Sequence, residues 1–202
     1  MVTLAEAYMS GYLEIEGNME KIMDSIFSRK ESFLNQNKII EKLARIKANT
    51  VKKSKEDISY QYDLGNDFYG LWLDKTMSYS CAYFKTEKDT LFDAQMKKIH
   101  HILKKLNLKP GQTLLDIGCG WDYLIIEAAK RYHVNAVGIT LSEEQYRKAK
   151  SRIKEEGLDG QVEVRLIDYR ELGKEKIVFD RIVSVGMLEH VGQANIPVWI
   201  SC

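Results

Sequence analysis

The sequence predicts an α/β domain, an open parallel sheet flanked by helices, carried behind an N-terminal helical segment. Three observations predict it. The stretch "TLLDIGCG" from Thr113 reads as a buried strand running into a glycine turn. From there strand and helix alternate: "TLLDIG", a helix from Trp121, "NAVGIT", "SEEQYRKAKSRIKEEG", "VEVRLID" and "FDRIVSVGM" follow one another, the pattern of βαβ units around a parallel sheet. In the helix from Trp121 the apolar set Trp121, Leu124, Ile125, Ala128, Ala129 and Tyr132 keeps the helical period, which fixes the face packed on the sheet and leaves Asp122 off it.

The elements before the sheet are read in order. Residues 1 to 50 are helix-prone, and "NMEKIMDSIFSRKESFL" sets Met19, Ile22, Met23, Ile26 and Phe27 along one stripe. The stretch "KANTVKKSKEDISYQYD" loses that period and gathers Lys47, Lys52, Lys53 and Lys55, a basic linker that reads as a solvated connection before a lipid contact. Residues 1–56 are therefore expected to be a helical accessory segment with its linker, and 57–202 the α/β domain. From Tyr60 to Phe84 the chain is dense in aromatics (Tyr60, Tyr62, Phe68, Tyr69, Trp72, Tyr79, Tyr83, Phe84). These can pack a helix on a core, line an apolar channel, or offer π faces to a cationic ligand. A helix follows in "TLFDAQMKKIHHILKKLNLKPG", capped by Thr90 with Asp93, apolar at Phe92, Met96, Ile99, Leu103 and Leu106, and expected to stop at Pro110-Gly111.

Composition narrows the function classes. At 202 residues with 30 basic and 29 acidic side chains, the net charge of +1 gives no global field for nucleic acid. Three cysteines, Cys81, Cys119 and Cys202, are too few and too odd in number for a disulfide framework and show no zinc-ligand spacing, so no metal is expected and a reducing cytoplasm is the expected compartment. His100 and His101 are helix neighbours that point apart, and His133 reads as a surface loop residue. No run of about 18 apolar residues is present to span a membrane.

The candidate chemistry lies at the carboxyl ends of the strands, where open α/β sheets bind their ligands. Gly118 allows a tight turn and Gly120 a close approach, while Asp116 can order the turn's amides or meet a ligand ammonium. A dinucleotide fingerprint would continue with a third small residue and an acid ending the second strand; Asp122 and Thr140 stand there instead. An acid at the helix start would repel a diphosphate and suit a ligand with a positive centre. Ser142 and Gln145 form an S-x-x-Q capping box, and Gln145 can either cap or present its amide to a ligand. Asp168 at the end of the third strand can accept from an exocyclic amine, with Tyr169 stacking on the ring, or can close a solvated turn. Glu189 is placed for acid/base work or for holding a small anion, and His190 beside it reads more as a helix-start hydrogen bonder than as a catalyst.

Four ordered stretches, "YDLGNDFYGLWLDKTMSYSCAYF", "LLDIGCGW", "GITLSEEQ" and "FDRIVSVGMLEHVG", closely resemble the cyclopropane-fatty-acyl-phospholipid synthases and the related mycolic acid cyclopropane synthases. The resemblance runs from about Ala5 to Gly192. It implies a class I methyltransferase fold, Rossmann-like, with S-adenosylmethionine as cofactor, and transfer of a methylene to the cis double bond of a phospholipid acyl chain at the inner membrane surface. The family's cofactor contacts fall on Tyr79 and Ser80, on Asp116, Gly118, Cys119, Gly120 and Trp121, on Thr140, Leu141, Ser142 and Gln145, and on Asp168 with Tyr169. Its bicarbonate base is held in part by the residues matching Cys81 and Glu189; a small buried thiol is the bland alternative for Cys81. Two departures carry expectations. Relatives usually have glycine at Asp122, so a side chain and a charge are expected to crowd the cofactor turn. The matched pattern also stops early, so the sheet is expected to be incomplete at its C-terminal side, with "RIVSVG" a long apolar edge prone to self-association.

Overall fold

The computed structural model describes residues 4–18, 20–22, 24, 65–175, 177–192 and 195–200. The chain divides into two units, Met1–Lys47 and Ala48–Cys202. In the first, helix α1 (Leu4–Met9) precedes an irregular stretch in which Met9 and Tyr12 are exposed. Ile22 is half-buried; Met19, Met23, Ile26 and Phe27, like the basic linker, Tyr60 and Tyr62, lie outside the described residues.

The second unit is a parallel sheet of β1 (Thr113–Ile117), β2 (Asn135–Thr140), β3 (Val162–Leu166) and β4 (Arg181–Val183) in the order β3-β2-β1-β4. Strand β1 is central, with Leu114 facing Ala136 and Arg181, and Asp116 facing Gly138 and Val183. The order reverses at β1, which opens a crevice at its carboxyl end. Because strand side chains alternate, the sheet has two cores. On one face Leu114, Ala136, Val162, Val164 and Val183 pack under α3 (Leu91–Leu106), α4 (Tyr123–Tyr132) and α5 (Glu143–Glu155), a second helix, α2 (Asn66–Gly70), preceding them in the chain. On the other, Leu115, Ile117 and Ile139 meet Tyr169 and Leu172 of α6 (Tyr169–Leu172), with Trp199 of α8 (Ile196–Ile200) packed against them; α7 (Leu188–Val191) lies between in sequence.

Three boundaries differ from expectation, each for a local reason. Helix α3 has the full Thr90–Asp93 capping box but ends at Leu106, because Asn107 turns left-handed (φ 49°) before Pro110 is reached. Helix α4 begins at Tyr123 because Asp122 itself is left-handed (φ 63°), so Trp121 belongs to the turn. Strand β4 covers only three of the expected residues: Ser184 Oγ donates to the Ile117 carbonyl at 2.7 Å and Gly186 takes φ 66°, which leads the chain away from β1. The edge is therefore short rather than long.

Candidate active site

One cavity lies at the carboxyl ends of the strands. Its floor is the turn Gly118–Trp121, its sides are Thr140–Leu141, Asp168–Tyr169 and Val185–Met187, and the segment 76–80 covers it, with Lys98 and Ile99 of α3 behind. Gly118 has φ 81°, a conformation that strains any side chain, and a Cβ there would also have to push Met187 Sδ back from 3.1 Å. The amides of Gly118 and Cys119 both donate to the Ile139 carbonyl at 3.0 Å, which ties the turn to β2.

Two carboxyls lie at this turn. Asp116 is 3% exposed and its Oδ1 has no protein partner; burial first, and then the charge of Asp122, push its carboxyl up to about 8. An orphaned buried acceptor lining a cavity fits a ligand that brings a donor, above all a cationic one. Asp122 is wholly buried with no nitrogen or hydroxyl donor on either oxygen, and burial pushes it up to about 7 against the opposing pull of the Cys119 thiol and Arg152. It does not line the cavity. Its Oδ1 sits 2.5 Å from where a Cβ on Gly138 would be, beside Cys119 Sγ, so the side chain points beneath the turn into space that only glycine on β2 leaves open. The expected crowding of the ligand side is thus corrected: the residue burdens the support of the turn.

Thr140 and Gln145 act as a pair. Thr140 Oγ1 donates to Gln145 Oε1 at 2.7 Å and accepts from the Ser142 amide at 3.2 Å. Ser142 Oγ accepts from the Gln145 amide, as the expected cap requires, and Gln145 also lines the cavity. Ser142 is buried and outside the lining. Asp168 lines the cavity with both oxygens held by Arg170, from Nε at 2.7 Å and Nη2 at 2.6 Å. Tyr79 is half-exposed and stacks edge-on against Trp72 at 5.1 Å and tilted on Tyr69, which in turn meets Trp121 at 5.2 Å. Cys81 is exposed and outside the lining, not a buried thiol. Glu189 is also exposed and outside it, yet Glu189 Oε1 and Ser80 Cβ both approach within 4 Å of the Cβ position of Gly186. His190 lines the cavity. Among the described residues no group of three His, Cys, Asp or Glu could hold a metal ion, and no helix is long and apolar enough to cross a membrane.

A family model described as mycolic acid cyclopropane synthetase matches residues 49–202. The chain belongs to this cyclopropane synthetase family. A second model, a domain of unknown function, matches residues 1–38. The chain is 41% identical to a probable fatty acid methyltransferase of Pseudomonas putida, over 98% of this chain and 50% of that protein. It is 52% identical to the cyclopropane-fatty-acyl-phospholipid synthase of Escherichia coli K12, over 66% of this chain and 33% of that one. A crystal structure of the mycolic acid cyclopropane synthase CmaA1, complexed with SAH and CTAB, superposes with a TM-score of 0.66 at 39% identity, over 72% of this chain and 50% of that one. The chain thus spans half or less of the length of these relatives. Its parallel sheet has the class I methyltransferase fold.

Several residues that build this cyclopropane synthetase cavity were not legible as site residues. Gln95 is buried on α3 and donates to the carbonyls of Ser78 and Ser80, both at 3.0 Å; a polar residue inside an apolar helix stripe was its only signal. Lys98 Nζ donates to Ser80 Oγ at 2.8 Å. Arg152 of α5 donates to the carbonyls of Lys75, Thr76 and Trp121 at 2.9–3.1 Å, and Asn66 joins Trp121 Nε1 to Glu144. These contacts join residues about 15 to 80 positions apart, which no local pattern announces.

Proposed function

We propose that residues 57–202 form the cofactor-binding part of an enzyme that transfers a methylene group from S-adenosylmethionine to the cis double bond of a phospholipid acyl chain, giving a cyclopropane fatty acid, with 1–56 as an accessory segment. One observation carries the cofactor assignment. The orphaned Asp116 oxygen, the Gly118 turn, the Thr140–Gln145 pair and Asp168–Tyr169 meet in a single cavity at the strand ends, a mixed set suited to a ligand with cationic, ribose and adenine parts. Bound there, the cofactor supplies an electrophilic methyl group.

The chain's own residues do the rest. Asp116 accepts from the ligand's ammonium, and burial makes that contact strong. Gly118, Cys119, Gly120 and Trp121 give the turn its close approach. Thr140, Leu141 and Gln145 hold the ribose side, positioned by the Ser142 cap, and Asp168 and Tyr169 hold the adenine side. Tyr79 and Ser80 cover the ligand and help keep water from the reacting centre. Cys81 and Glu189 would hold bicarbonate, which would supply the base for the proton on the transferred carbon. The phospholipid substrate supports peripheral contact with the inner membrane surface.

A second reading, a fragment that binds cofactor or lipid without turnover, is favoured by the exposure of Cys81 and Glu189 outside the cavity. The test pairs calorimetric titration of S-adenosylmethionine with analysis of acyl chains after incubation with unsaturated phospholipid vesicles. The enzyme reading expects binding and product, with Glu189→Gln lowering product by about a hundredfold or more at unchanged affinity. Binding without product selects the second reading, and binding of neither the cofactor nor the vesicles overturns both.

A further inference from the structure

One basic side chain with a flexible stem reaches the cavity. Among the described lining residues Lys98 is the single lysine or arginine, and it projects from α3 to donate to Ser80 Oγ at 2.8 Å. It makes no ion pair: Lys97 beside it takes Asp89, and no carboxylate lies within 4 Å of Lys98 Nζ among the described residues. Its ammonium is half-buried, which lowers its proton affinity, with Asp74 and Cys81 near enough to oppose that. A half-buried ammonium satisfied by one hydroxyl has donors left over. The acids of the same cavity sit elsewhere: Asp116 ends β1 with an orphaned oxygen, and Asp168 is already neutralised by Arg170. The lining therefore offers one buried carboxyl with an orphaned oxygen and one lysine without an ion pair, groups that suit the two ends of an amino-acid zwitterion.

We propose that Lys98 is a specificity-determining residue that receives the α-carboxylate at the amino-acid end of the cofactor, while its bond to Ser80 holds the covering segment in place. This rests on the cofactor reading above. The ammonium lines the cavity that contains the Gly118 turn, while Cys81 is near it but outside the lining, so the anion assigned to Lys98 is a carboxylate of the ligand bound in that cavity. A lysine that merely tethered Ser80 would serve every ligand alike. One that meets a carboxylate separates ligands that carry it from those that lack it.

The experiment titrates the full 202-residue chain calorimetrically with S-adenosylhomocysteine and with methylthioadenosine, the same adenosyl thioether without the amino-acid end. Wild type, Lys98→Met and Lys98→Arg are compared, with thermal melting to confirm folding. In Lys98→Met, S-adenosylhomocysteine is expected to weaken about tenfold or more while methylthioadenosine stays within about twofold, and Lys98→Arg is expected to recover most of the loss. Equal weakening of both ligands leaves only a tether and overturns the proposal. No change in S-adenosylhomocysteine affinity overturns it too, including the case in which only a bicarbonate dependence changes. Failure of wild type to bind either ligand sinks the cofactor reading itself, a result distinct from the other two.

Discussion

Asp122 holds three unfavourable states at once. It is left-handed where a side chain is strained, fully buried, and has no donor near its oxygens beyond the weak Cys119 thiol. It survives because Gly138 across the sheet leaves room for it. Asp122→Gly is therefore expected to stabilise the fold by about 1–3 kcal/mol, read as a rise in the denaturation midpoint. The pH dependence follows from the direction of the shifts. Asp122 and Asp116 have folded-state values of about 7 and about 8, raised from 3.8, so between those limits the folded state binds more protons than the unfolded one. Stability then falls as pH rises from about 4 towards 8. Melting wild type and Asp122→Asn at pH 5 and pH 8 checks this: the variant should lose less over the interval, and a flat wild-type profile would contradict the assignment.

At the scale of elements, the covering segment 66–80 has little regular structure beyond the short helix Asn66–Gly70 and is held by side chains of others. Helix α5 supplies Arg152 and Glu144, α3 supplies Gln95 and Lys98, and the turn supplies Trp121. Arg152 serves three carbonyls, two on the segment and one on the turn, so it joins the cover to the floor of the cavity. Arg152→Met is expected to cost about 1.5–3 kcal/mol and to speed hydrogen exchange selectively across residues 74–80. Exchange rising evenly over the whole domain would show that Arg152 supports the core and not the cover. Of the three uses open to the aromatic segment, packing on a core is met by Tyr69, which is buried, while Phe68, Trp72, Tyr79, Tyr83 and Phe84 remain about half-exposed. A cover pinned by polar side chains can leave its aromatics on the outside.

For the molecule as a whole, β4 is bonded to β1 on one side, and its Ile182 is half-exposed at the end of the sheet order. Three residues make a weaker template than the long edge expected, but exposed Leu71, Phe84 and Val178 add apolar surface on the same unit. We expect reversible self-association, seen in sedimentation velocity as a weight-average coefficient that climbs with protein concentration. A single concentration-independent monomer boundary would refute it.

The sequence by itself determined what depends on near neighbours. Alternation and helical period marked β1, β2, β3, α3 and α5, Thr90 marked a helix start, and the glycine turn with Asp116 marked the place of the ligand. Those signals are local because strand and helix repeats are local. Only the folded chain shows that Asp122 lies beneath the turn, that Ser142 stands outside the cavity as a cap, that Lys98 lines it, and that Gln95 and Arg152 hold its cover. Each of these depends on which distant residue faces which across the sheet or the cover, and burial and hydrogen-bond partners of that kind exist only once the chain has closed on itself.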